Sequence, residues 1–73
     1  MQRYFTKLNG VPVTYQLEPQ IFHHAIRVMR AKEGQVFELV DQQQRVKLMK
    51  LTRVFANQAF AKTLKTSLPQ VEL

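Results

Sequence analysis

The sequence predicts a mainly β domain, a small curled sheet or β-barrel capped by one helix. Three observations carry that prediction. The chain has 73 residues, enough for a single small domain. Short alternating or aromatic-rich segments recur along it, each bounded by turn residues, as strands require. One segment alone, Pro19 to about Arg30, places apolar residues at helical spacing.

Arg3-Tyr4-Phe5-Thr6 reads as a first strand, its two aromatics suited to a pleated surface. Asn9-Gly10 marks a tight turn, and Pro12 is tolerated at a strand start or on an edge. Val13 to Leu17 alternates, which places Val13, Tyr15 and Leu17 on one side. Pro19 suits a first helical position, where a missing N–H costs nothing, and Glu18 adds favourable negative charge there. The helix should run to about Arg30, with Gly34 stopping it and feeding the next strand.

Gln35 to Asp41 reads as a strand with Phe37 and Leu39 inward, and Asp41-Gln42-Gln43-Gln44 as a polar turn. Arg45 to about Phe55 is a long strand with a broken alternation: Val46 and Leu48 point one way and Leu51 falls out of phase. A bulge near Met49 or Lys50 repairs the phase. Ala56-Asn57-Gln58 is a second turn, and Ala59 to Lys65 a last strand with Phe60 and Leu64 on one face around Lys62. The segment Ser67 to Leu73 ends on a short apolar alternation, as if a further element begins there.

Eleven Lys and Arg against five Asp and Glu give a formal net charge of +6, a field that attracts polyanions. No apolar run approaches the ~20 residues that span a bilayer, and Met1 to Lys7 lacks the apolar core of a secretory signal. With no cysteine there is neither a disulfide nor a thiolate site, which suits the cytoplasm. The acids are scattered, and no glycine-rich phosphate loop exists. His23 and His24 lie ~100° apart on a helix, so they do not chelate one metal as an i, i+4 pair does. No metal, cofactor or catalytic group is therefore expected in this chain.

Position sharpens the charge argument. On the helical wheel, with His23 at zero, Arg27 falls near ~40° and Arg30 near ~340°. Ile21, Phe22, Ala25, Ile26, Val28 and Met29 fill the opposite arc, so one face is dry while the other carries a basic ridge. Guanidinium forks are suited to phosphate. His24 falls between the two faces and reads as a half-buried residue bonding a backbone carbonyl. Lys32 extends the ridge, Arg45 and Lys47 share a face of the long strand, and a bulge could bring Lys50 or Arg53 into line with them. Lys50 and Lys62 read as solvated guards of a strand edge, and Tyr4 and Phe5 as core rather than as platforms for bases.

The opening Arg3-Tyr4-Phe5, the run His23-His24-x-x-Arg27-Val28-x-Arg30-x-x-x-Gly34 and the strand Phe37 to Asp41 with its Asp turn carry a resemblance. Together they make the chain similar to the N-terminal domain of a bacterial family of SPOUT-class methyltransferases acting on N3 of a uridine in 16S rRNA. Met29 stands where that family usually has leucine, and no glycine follows Asp41 as it commonly does. The resemblance implies a PUA-like, RNA-binding β-barrel over residues 1–66, with residues 67–73 starting the linker to an absent catalytic domain. That absent domain would bind S-adenosylmethionine, form a homodimer and do the chemistry. The implied partner is 16S rRNA or the small ribosomal subunit. The residues expected to grip it are Arg3, His23, Arg27, Arg30, Lys32, Arg45 and Lys47. Two other readings use the same residues: a module that docks protein or the dimer partner, and a free-standing nucleic-acid binder.

Overall fold

The structure, a computed structural model, describes residues 2–67. The expected linker beyond Ser67 therefore lies outside the described residues. Five strands form one sheet: β1 (Arg3–Phe5), β2 (Thr14–Gln16), β3 (Val36–Val40), β4 (Val46–Val54) and β5 (Ala59–Ser67). The spatial order is β1-β3-β4-β5-β2, with β1 parallel to β3 and every other pair antiparallel. The single helix among the described residues, α1, is α-helical over Pro19–Phe22 and π-helical over His23–Val28. Asn9-Gly10 is thus not a hairpin turn, since β1 and β2 occupy opposite edges of the sheet.

The two edges meet through a side chain. Glu18 accepts hydrogen bonds from the Thr6 hydroxyl beside β1, from the Tyr15 hydroxyl on β2 at 2.6 Å and from the Lys7 N–H at 3.3 Å. Burial alone would raise the Glu18 carboxyl, but these donors and the Lys7 charge hold it below its ordinary value. The Tyr15 phenol is pushed up strongly by burial and by the same carboxylate.

Ile21 and Ala25 of α1 pack onto Tyr15, Phe37, Leu39, Met49 and Leu51 of the sheet. Phe37 and Leu39 are inward, as their alternation predicts. In β4 the inward residues are Met49 and Leu51, while Val46 and Leu48 are only half-buried. The phase break is absorbed by two register shifts against β5, between Leu48 and Met49 and between Leu51 and Arg53. On β5 the sequence phase is inverted: Ala59 and Ala61 face the core, and Leu64 is 49% exposed. Alanine is required there because Ala61 sits directly opposite both Tyr15 and Leu51, which leave no volume for a larger side chain. Val13 is likewise outside the core, 66% exposed, because it precedes β2.

The helix ends earlier than its apolar pattern predicts. The Met29 N–H bonds the His24 carbonyl at 2.9 Å, an i→i+5 step that widens the last turn. Arg30, at φ 55, then takes the left-handed position that usually follows a helix. The Ala31 N–H closes the cap on the Ala25 carbonyl at 2.9 Å. Widening swings Val28 and Met29 out of the core, leaving them 56% and 48% exposed.

Gly34 belongs to the next turn. The Gln35 N–H bonds the Lys32 carbonyl at 3.0 Å, and Gly34 sits third in that turn at φ 94. A Cβ there meets nothing within 4 Å. Gly34→Ala should therefore cost only the backbone strain, about 1–2 kcal/mol, read as a lower urea midpoint with an unchanged slope.

Candidate functional site

Three segments converge at one end of the sheet: the π-helical half of α1, the α1–β3 connection and the β4–β5 turn. Two contacts tie them together. The Arg27 guanidinium donates to the Ala56 carbonyl at 2.8 Å, and the Glu33 carboxylate accepts the Val54 N–H at 3.2 Å. Arg27 also lies over the Phe22 ring, 5.8 Å from its centre, a cation–π arrangement that orients the guanidinium.

The expected basic residues separate into two groups. His23, Arg27, Arg30 and Lys32 are exposed at this end, and none pairs with a described carboxylate. They do not form the straight ridge of the α-helical wheel, because the π-helical turn changes their phase and Arg30 lies beyond the helix. The left-handed backbone at Arg30 belongs to the helix cap, where a residue with a Cβ is less common than glycine.

Arg3 and Arg45 are engaged elsewhere. Arg3 pairs with Glu38 at 3.0 Å, its register partner across β1 and β3. Arg45 pairs with the buried Asp41 at 2.9 Å and donates to the Asn9 carbonyl at 2.9 Å. Lys47 donates to the Thr66 hydroxyl at 3.1 Å. Arg45 adjoins the C-terminal end of β3, whereas Lys32 precedes its start, a separation of roughly 17 Å along the strand. One compact patch therefore holds four of the seven expected residues.

Two more residues stand at the patch: Arg53, a cation of the long strand that a bulge was expected to re-aim, and Phe55, which the sequence reading did not single out. Arg53 is exposed beyond the register shift in β4, and Phe55 is 47% exposed just before the Ala56-Asn57-Gln58 turn. An aromatic immediately before a polar turn is the signal that marks Phe55. Its ring packs edge-on against Phe60 with centres 6.2 Å apart. His24 does not bond a backbone carbonyl; its Nδ1 shares a 2.8 Å hydrogen bond with the Tyr4 hydroxyl, and the rings meet edge to face. Beneath the α1–β3 connection lies a cavity of about 100 Å³, lined by Tyr4, Phe37, Ala25, Met29, Gln35 and neighbours. No group of His, Asp or Glu suited to holding a metal occurs among the described residues.

A family model of the RNA methyltransferase PUA domain matches residues 17–59, more than half of the chain. The fold is shared with several solved proteins. A candidate methyltransferase from Legionella pneumophila, solved with S-adenosylmethionine, superposes with a TM-score of 0.84 at 20% identity, covering 96% of this chain and 29% of that one. Ribosomal RNA small subunit methyltransferase E from Neisseria gonorrhoeae, bound to S-adenosylmethionine, gives 0.79 at 23% identity over 92% of this chain and 28% of the other. A protein from Thermotoga maritima assigned as an RNA methyltransferase gives 0.75 at 23% identity over 100% and 32%. The chain thus spans about a third of the length of these proteins or less. No curated protein matches it in sequence.

Proposed function

The chain belongs to the RNA methyltransferase PUA domain family, and from that premise we propose that it grips RNA for a larger S-adenosylmethionine-dependent methyltransferase acting on N3 of a uridine in 16S rRNA. One observation carries the reading: His23, Arg27, Arg30 and Lys32 gather at one end of the sheet with no described carboxylate neutralising them. Three cations without counter-ions, on a chain of net charge +6, form a surface built for a polyanion. Arg27 and Arg30 would hold phosphates through their planar forks, and Lys32 would add a point charge. Contacts of this kind position an RNA without reading its sequence.

Chemistry then belongs to the rest of that larger protein, in the cytoplasm and on the small ribosomal subunit or its RNA. S-adenosylmethionine would bind that remaining part, since this chain covers only 29% and 28% of the two proteins solved with it. Arg3 and Arg45 would contribute to the field around the RNA rather than to direct contacts, because each is paired with a carboxylate, and Lys47 because it stands on β4 away from the patch.

The test is a salt titration of RNA binding. If Arg27, Arg30 and Lys32 each neutralise a phosphate, log affinity should fall with log salt at a slope of roughly −2 to −3. An affinity insensitive to salt overturns the reading. Docking onto an acidic protein in place of RNA, with no RNA retained at low salt, would favour the protein-docking alternative.

A further inference from the structure

We propose that the cavity beneath the α1–β3 connection receives one pyrimidine-sized base of a single RNA strand, with Gln35 meeting its edge and Arg30 its phosphate. The proposal rests on the RNA-binding reading and adds to it a base-dependent contact, separate from the base presented for methylation.

Size selects the guest. A cavity of about 100 Å³ is smaller than the ~150 Å³ site that holds benzene, but this one is open on one side, so a single six-membered ring enters with its outer edge in water. Aromatic rings form part of its wall. Tyr4 and Phe37 meet edge to face with centres 5.7 Å apart, and Tyr4 is fixed by its 2.8 Å hydrogen bond to His24. A held ring is a better stacking partner than a mobile one, because less side-chain freedom is lost on binding.

The polar groups fit a base better than an apolar side chain. The Gln35 Oε1 accepts the Lys32 N–H at 2.5 Å, which pins the amide and leaves its two N–H donors available. Pyrimidines offer ring carbonyls to such donors. Gln2, also at the cavity, is exposed and brings a second amide. The rim is unusually apolar for a surface, with Met29 48% and Val36 36% exposed. Arg30 does not line the cavity, but its backbone lies between Met29 and Ala31, which do, so its long side chain, with no described counter-ion, has the reach to meet a phosphate outside the mouth. An apolar mouth beside a cation matches a nucleotide, which carries a ring and a phosphate a few bonds apart.

The experiment uses this 73-residue chain and fluorescein-labelled octamers at one salt concentration. Oligouridylate should bind about tenfold tighter than an abasic ribose-phosphate octamer, the effect of one stacked base. Met29→Ser and Gln35→Ala, both at exposed positions, should each erase most of that difference while leaving the abasic strand's affinity unchanged. Uridine alone should shift the methyl resonances of Ala25, Met29 and Ala31. Equal binding of the two strands, or a difference that survives both substitutions, overturns the base site and leaves the RNA-binding reading standing. Oligoadenylate binding as tightly as oligouridylate overturns the size selection. Retention of neither strand overturns both proposals.

Discussion

Reversing both guanidiniums that no described carboxylate neutralises, Arg27→Glu with Arg30→Glu, should weaken RNA binding by about a hundredfold or more, since two charge-assisted contacts at ~1.5 kcal/mol each are lost. Both residues are exposed and neither forms an ion pair with a described carboxylate. The folded state should therefore survive, and the loss of the Arg27 bond to the Ala56 carbonyl should lower the unfolding midpoint only slightly. A second signature separates lost contacts from general repulsion. Two fewer phosphate contacts should flatten the slope of log affinity against log salt by about 1.5 units. An unchanged slope would show that RNA is held elsewhere. The contrasting change is Arg45→Gln, which should lower stability more than it lowers RNA affinity, because that guanidinium serves Asp41.

Asp41→Ala should remove about 3 kcal/mol of stability, a large share of the ~4–11 kcal/mol expected for a domain of this size. The Asp41 side chain is completely buried at the end of β3. It accepts the Gln43 N–H at 2.9 Å, the Arg45 N–H at 3.0 Å and the Arg45 guanidinium at 2.9 Å. Removing it leaves three donors without their acceptor in a turn where Gln44 already adopts φ 66. Asp41→Asn keeps one acceptor for the two backbone N–H groups and should lose less.

The same carboxylate makes stability depend on pH. Burial by itself raises the Asp41 carboxyl, but the two N–H donors and the Arg45 charge outweigh it and hold the group below its ordinary value. Glu18 behaves alike. A carboxyl lowered in the folded state favours folding at every pH above its unfolded value, near ~4. That contribution drains away as pH falls from ~4 through the lower folded value. The urea midpoint should therefore be level in this respect from pH 7 to 5 and drop below 4. Asp41→Asn should make the drop shallower without abolishing it, because Glu18 remains. A midpoint that rises on acidification would contradict both assignments.

Local chemistry made much of this molecule legible in its sequence. Aromatic content and alternation, bounded by turn residues, located the strands, the Pro19 start located the helix, and Phe37 and Leu39 declared the core face of β3. Asp41 followed by three glutamines announced the turn, although the left-handed residue proved to be Gln44 where no glycine was available. Phe5, expected in the core, is exposed on an edge strand, whereas the errors in β4, β5 and the helix share a cause. Faces of β4 and β5 were misread because register shifts at two places re-aim every later side chain, and a one-residue slip moves a strand's apolar set to the other side. The helical wheel failed at its end for a similar reason, since one widened turn alters the phase of all that follows.

The sequence by itself settled composition, charge and the kinds of element, because those depend on neighbours a few bonds or one turn away. Which cations remain available was decided only in three dimensions. Arg3 is neutralised by Glu38, 35 residues distant, through the pairing of β1 with β3. Arg27 is aimed by a carbonyl 29 residues along the chain. Such pairings depend on strand order and register, which are set by how the whole apolar core closes, and no local pattern encodes that sum.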